Sequence, residues 1–388
     1  MANTLTNLIP DLYEALDVIS RELTGFIPSV TRDSSIERAA INESVLIPVT
    51  QSFGASLANT PGVTAPDNGD ATVDTLPVTI SKSQYQPVRW NGEETKGVKN
   101  SGTFSTIQAD RFFQAMRSLV NEIETDLWTE AYQSASRGFG TAGTTPFGTA
   151  ADLSDFAGVL RILEENGAPT NDLQLVLGHD AVANLRGLQT TLFKVNEAGS
   201  SDMLRNGMTD RVQKMALRHS DAIGVHTAGT ANGESPANLI DQVSPGELVG
   251  QTTITIDTGS GSMIPGDVFT VSGDLNKYIV NVARAAGDVV IGAPGLREIA
   301  VDDAVVDIGN AYTPNVAFAR HAILLATRAP AMPEGGDMAT DATTIVDPRT
   351  GLAFEIAEYK QYLQTVYHVR LAWGFKVIKE AHVAVLLG

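Results

Sequence analysis

Six histidines, His179, His219, His226, His321, His368 and His382, are the side chains of this sequence best suited to metal ligation or proton transfer near neutral pH. None falls at a metal-ligand spacing such as HExxH, and the chain has no cysteine to supply a thiolate. His368 lies in an alternating run and reads as a surface or pocket-edge residue. No GxSxG elbow presents a serine nucleophile. Gly259, Gly261 and Gly266, in TGSGSMIPGD, resemble a phosphate loop only loosely, because no Lys-Ser/Thr follows and Pro265 leads into a strand rather than a helix. They read as turn glycines. Adjacent acids at Glu93-Glu94, Glu164-Glu165 and Asp302-Asp303 could draw a cation, yet neighbours on a strand point to opposite faces and such pairs are usually solvated. The residues nominate no catalytic group, no cofactor site and no metal site, and the expectation is a protein that is not an enzyme.

The elements that would position any site come from a chain of 388 residues, 43% of them apolar, which is enough for two or three domains with real cores. A formal charge of -18 disfavours sequence-reading nucleic-acid binding, which needs concentrated Lys and Arg. Without cysteine there is no disulfide framework. The opening MANTLTNLIPDLYEALDV has no basic leader, so no secretory signal is expected. No apolar run approaches the roughly 20 residues of a membrane helix. The expectation is a soluble chain made in the cytoplasm, with no membrane partner.

One stretch organises the rest. From Ser105 to Arg137, apolar residues recur at Phe112, Met116, Leu119, Val120, Ile123, Leu127 and Ala131, the 3/4 alternation of a single helical stripe. Ser105 and Gln108 can form a capping box, and Gly138 supplies a stop. Glu122, Glu124, Asp126 and Glu130 are assigned to the outward side. Such a helix spans about 50 Å, too long for one ordinary compact core, and reads as a spine.

Upstream, residues 7 to 24 carry Leu8, Leu12, Leu16, Ile19 and Leu23 on one stripe, with Pro10 near the first turn and Gly25 after the last. SVLIPV (44–49) and PVTISKSQYQPVRW (77–90) read as strands around a polar, turn-rich tip, a ribbon too long to bury itself and expected to lie on another subunit. Downstream, Ser154 is expected to cap a helix with Phe156, Val159, Leu160 and Leu163 inward, ending at Asn166-Gly167 and Pro169. LQLVL (173–177) follows as a buried strand and 180–188 as a helix. From about residue 227 to 313, strands recur every 8 to 12 residues, suggesting a small antiparallel barrel or sandwich inserted into the mixed domain. AFARHAILLATRAP reads as one strand, MPEGGDMA as a loop, and GLAFEIAEY and TVYHVRLAWGFKVIK as strands that complete the mixed domain's sheet.

This order of arm, ribbon, spine and mixed domain resembles the major capsid proteins of tailed bacteriophages, which share the Hong Kong 97-like fold, an α+β architecture. The resemblance implies an N-arm at 1–43, an E-loop at 44–76, a P-domain at 77–149 with its spine helix at 105–137, an A-domain begun at 150–226 and completed with C-terminal strands at 314–388, and an inserted β-barrel at 227–313 like that of some short-tailed phages. LRILEENGAPTNDLQLVLGHDAVANLRGL is similar to the A-domain's helix, turn, strand and helix. It further implies hexamers and pentamers of this chain in an icosahedral shell around double-stranded DNA, assembled in a bacterial host with a scaffolding protein and a portal. Some relatives cross-link a lysine to a neighbour's asparagine. Lys82, Lys96, Lys99 and Asn100 lie in the corresponding region, but no motif carries the transfer and no cross-link is expected. Two other classes fit parts of the chain: a surface-layer or adhesive β-protein, from the Gly/Thr-rich strands, and a hydrolase with an inserted lid, for which no nucleophile-base pair is found.

Overall fold

The computed structural model describes residues 23–50, 61, 73–100, 104–189, 210–231, 238–240, 247–256, 258–259, 261–284, 287–346 and 350–388. The chain is mixed α/β with few helices. Its strands form two large sheets and one isolated ribbon. The ribbon pairs β2 (Ser44–Thr50) with β3 (Val73–Thr79). The first sheet runs β1 (Thr31–Ala39), β16 (Ile323–Pro330), β19 (Gln364–Val377), β18 (Ala353–Gln361), β17 (Asp341–Val346), and β4 (Lys82–Asn91) also pairs with β19. The second sheet runs β7 (Arg211–Val212), β8 (Met215–His219), β6 (Leu173–Leu177), β15 (Pro314–Ala319), β20 (Val383–Leu387), β5 (Arg137–Phe139), then on through β12 (Lys277–Val282), β11 (Val268–Val271), β14 (Val305–Ile308) and β9 (Asn238–Leu239). β13 (Val289–Ile291) pairs with β12, and β10 (Thr253–Ile254) pairs with β13.

Four helices are described: α1 (Gly92–Asn100), α2 (Phe104–Gln133), α3 (Ser154–Glu165) and α4 (His179–Leu188). Helix α2 is the spine. All seven of its stripe residues, from Phe112 to Ala131, are buried, in one cluster with Val88 and Trp90 of β4, Leu371 and Trp373 of β19, Phe318 of β15 and Val383 of β20. That stripe therefore closes the core between both sheets. The opposite edge, at Asp110, Arg111, Gln114, Ser118, Asn121 and Thr125, is exposed. Helices α3 and α4 cover the other face of the second sheet, against β6, whose five residues are all buried.

Several boundaries differ from those read off the sequence. The spine ends at Gln133, not Arg137, because Arg137 and Gly138 are recruited into β5 between β12 and β20. Residues 77–90 are not one strand: Ile80 and Ser81 break the run, so its first part pairs with β2 and its second with β19. AFARHAILLATRAP likewise splits at a 3-10 turn, Arg320–Ala322, into β15 of the second sheet and β16 of the first. The C-terminal strands divide in the same way. β18 and β19 belong to the first sheet, and only β20 completes the second. Ser154 does not cap α3: Leu153 holds the cap position, and the Ser154 hydroxyl donates to Asp152. The stop at Asn166-Gly167 is as read, with Gly167 at φ +74° and its N–H donating to Glu164 O. Glu93 and Glu94 sit in the first turn of α1, absent from the sequence reading, where Asn91 and Glu94 cap each other reciprocally. β1, β7, β8, β17 and β20 are also strands that the sequence reading did not separate out. The proposed N-terminal helix, residues 7–24, lies outside the described residues except for Leu23 and Thr24, which are not helical.

Residues 238–308 have a core of their own, including Ile254, Phe269, Tyr278, Val280, Ile291 and Ile308. Their strand pairs run β9, β14, β11, β12, β13, β10, and an Ile240–Ile256 bridge joins the two ends of that series. The set is also continuous with the second sheet, through Lys277 and Tyr278 of β12 opposite Gly138 and Arg137 of β5.

Candidate functional site: the spine helix and what it ties together

The polar residues of the spine do structural work at both sheets. Glu124 is 3% exposed, not outward-facing as assigned from the sequence. Its carboxylate accepts hydrogen bonds from the backbone N–H of Gly25, of Phe26 at 2.6 Å and of Ile27 at 3.0 Å, and from the Ser220 hydroxyl at 2.7 Å. Three successive amides of an irregular segment thus find their acceptor on a helix about a hundred residues away. Burial pushes the Glu124 carboxyl up from its usual range, and the four donors oppose that shift. The signal was present in the sequence: position 124 is four residues after Val120 and three before Leu127, so it lies within the apolar stripe rather than opposite it.

The other acids of the spine are engaged as well. Lys82 of β4 donates to Glu122 at 2.8 Å and to Asp126 at 2.9 Å, and the second oxygen of Asp126 accepts from the Trp373 indole of β19 at 3.0 Å. Glu130 accepts from the backbone N–H of Val377 at 3.4 Å, and burial raises its pKa. Between Asp126 and Glu130, the Trp128 indole donates to Pro314 O at 3.1 Å, at the start of β15. The spine is therefore fastened by side chains to β4 and β19 of the first sheet and to β15 of the second.

Its last turn meets residues 226–312. His226 and Tyr312 face each other as a two-residue bridge, His226 N donating to Tyr312 O at 2.8 Å. The His226 ring lies 2.9 Å from a carboxylate oxygen of the fully buried Asp267 and 3.4 Å from the Tyr132 hydroxyl, while the Tyr312 hydroxyl donates to Gly266 O at 2.6 Å. Gly266 adopts φ +96°, and a Cβ there would come within 2.4 Å of the Tyr132 ring. Only glycine allows this turn to sit against the helix. Gly259 and Gly261 also lie in the left-handed region, at φ +89° and +90°, as turn glycines do.

The remaining histidines are held in pairs or stacks. His219 and His179 touch at 2.9 Å, and the second nitrogen of His179 reaches Asp221 at 2.6 Å. His179 therefore presents its two nitrogens to different partners, and the three groups do not converge on a point. His321 and His382 touch at 3.1 Å. His368 is half-buried, stacked against Tyr85 and beside Tyr359. Burial lowers the pKa of His219, His321, His368 and His382. Among the described residues, no group of three or more His, Asp or Glu is placed to hold a metal ion. Glu164 and Glu165 bind Lys214 and Arg137, and Asp303 sits in a turn at φ +60°. Lys82, one of the lysines considered for cross-linking, is held in its two ion pairs, and Lys96 is exposed. No described helix is long and apolar enough to cross a membrane.

The arrangement defines a class of chain: a long helix fastening two sheets, with a two-stranded ribbon extending from the first. No protein-family model matches the sequence, and no curated protein matches it. Solved structures do resemble it. They include the capsid of cyanophage P-SCSP1u, at 10% identity and a TM-score of 0.48, with 92% of this chain and 86% of that one covered. The mature capsid of bacteriophage PhiM1 gives 10% identity and 0.46 over 93% and 86%. A virus-like particle from Pyrococcus furiosus gives 9% identity and 0.42 over 98% of both chains.

Proposed function

We propose that this chain is a structural subunit of a closed protein shell, a major capsid protein of the Hong Kong 97-like kind. The observation that carries the reading is the β2–β3 ribbon. Among the described residues its two strands are paired only with each other. Val45, Ile47 and Val78 rest on a small cluster with Leu324 and Ala372, while on the outer face Leu46 is 61% exposed among the described residues. A two-stranded ribbon is marginal in water. Its natural cover is a neighbouring copy, and many modest contacts of this kind sum to a stable lattice. The spine supplies the complementary property, a rigid bar fixing the two sheets of each subunit while its far edge stays exposed.

On this reading residues 1–43 are the arm, 44–76 the loop that overlaps a neighbour, and 77–149 the domain built on the spine. Residues 150–226 and 314–388 supply the second domain, and 227–313 form an inserted small barrel whose neck is the His226–Tyr312 bridge. Copies assemble as hexamers and pentamers around double-stranded DNA, with a scaffolding protein and a portal as partners, and the role is non-catalytic. Electron microscopy of the purified full-length chain, alone and co-expressed with a scaffolding protein, tests this. Closed shells are expected. Fibres or flat sheets would point to an adhesive or surface-layer protein, and discrete small oligomers under both conditions would overturn the shell reading.

A further inference from the structure

Where β5, the turn that follows it, α3 and the β11–β12 turn meet, the surface folds into a concavity of about 640 Å³. Three cations line it: Arg137, Arg161 and Lys277. The Arg137 guanidinium is buried and held by Glu165 at 2.9 Å, Asn276 at 2.9 Å and Asn166 at 3.0 Å, with its Nε left unpartnered. Arg161, 63% exposed, stands 3.6 Å from the same Glu165, so one carboxylate serves two guanidiniums. Asp155, the acid on the wall, already accepts the Phe147 N–H at 2.6 Å.

Lys277 is the anomaly. Its half-buried ammonium donates to the carbonyl of Gly140, and among the described residues no carboxylate is paired with it. Burial alone pulls its pKa down, with no acid opposing the shift. A cation withdrawn from water without a counter-charge is costly, and an anion would relieve that cost. The floor is suited to one. The turn reads GTAGTT from Gly140, and its threonine hydroxyls can donate to an oxyanion alongside Lys and Arg. Leu275, 97% exposed, stands on the same wall and offers an apolar edge to whatever the anion is attached to.

We propose that this concavity binds a phosphate-bearing small molecule, its phosphate drawn to Lys277 and Arg161 over the threonine turn and its organic part lying along Leu275. This does not depend on the shell reading. Calorimetric titration of the full-length chain in chloride buffer, first with inorganic phosphate and then with a nucleoside monophosphate, tests it. Saturable binding is expected for at least one of the two, weakened tenfold or more by Lys277→Met and largely retained by Lys277→Arg, which keeps the charge. Arg161→Gln should weaken binding severalfold. Lys214→Met, which removes a cation paired with Glu164 on an exposed face, should leave it unchanged. Tighter binding of the nucleotide would assign Leu275 its part, and equal affinities would mean that the phosphate alone is read. The proposal is overturned by absence of saturation below roughly 10 mM of either ligand. It is equally overturned if a folded Lys277→Met binds as the parent does, or if Lys214→Met loses as much as Lys277→Met.

Discussion

Glu124 carries more structural consequence than any other charged side chain of the described spine, because it accepts from three consecutive backbone amides. In Glu124→Gln the amide NH2 would face donors, leaving buried N–H groups without partners. A loss of about 2–4 kcal/mol is expected from urea unfolding, with a clear rise in hydrogen exchange at Phe26 and Ile27. A loss below about 0.5 kcal/mol would show that water or another acceptor replaces the carboxylate. The His321–His382 contact gives a second prediction at this scale. Burial is the main cause of the lowered pKa in both rings, with Lys379 adding repulsion on both and Asp172 opposing it at His321. Their folded pKa values lie below the unfolded value of about 6.5, so the unfolded chain binds more protons in that window. The stability these residues contribute is complete above about pH 6.5 and is lost as pH falls through it toward their folded values. His321→Gln should flatten the decline in urea midpoint between about pH 7.5 and 5, partly by relieving the repulsion on His382. An unchanged slope would exclude the pair as its source.

The spine was the most legible element, since seven apolar positions at 3/4 spacing can lie on one face only if the segment is helical. Leu119→Ala should cost about 2–5 kcal/mol, because Leu119 is fully buried between the sheets, while Gln114→Ala on the exposed edge should stay within about 0.5 kcal/mol. Equal effects at the two positions would mean that the stripe does not close the core. The strand boundaries were less legible. The breaks at Ile80-Ser81 and at Arg320–Ala322 carry no glycine or proline, and they fall where the chain leaves one partner strand for another. Local composition is blind to a change of partner, because the residues on both sides of each break are compatible with a strand. The acids of the spine were misplaced for a related reason: their charge pointed outward, whereas their angular position pointed toward Lys82, Trp373 and the amides of 25–27.

For the molecule as a whole, the decisive prediction concerns the ribbon. Deleting residues 52–72 should leave a folded, soluble chain, because the spine, both sheets and their shared core lie outside the deletion. Shells should fail to form, as judged by electron microscopy and sedimentation. Normal particles from that variant would remove the ribbon's assigned role. What the amino-acid order determined unaided was one-dimensional: the period and buried stripe of the spine, the strand character of 44–49 and 173–177, the turn glycines, and the lack of any motif at catalytic or metal-ligand spacing. These features depend on neighbours a few residues apart, where side-chain period and backbone geometry are directly coupled. What only the tertiary structure decided was partnership over long separations: which sheet each C-terminal strand joined, that the amides of 25–27 would be the ones to meet Glu124, and that Lys277 would line a concavity with the Gly140 carbonyl as its partner. Such pairings follow from how whole surfaces dock, which no local spacing encodes.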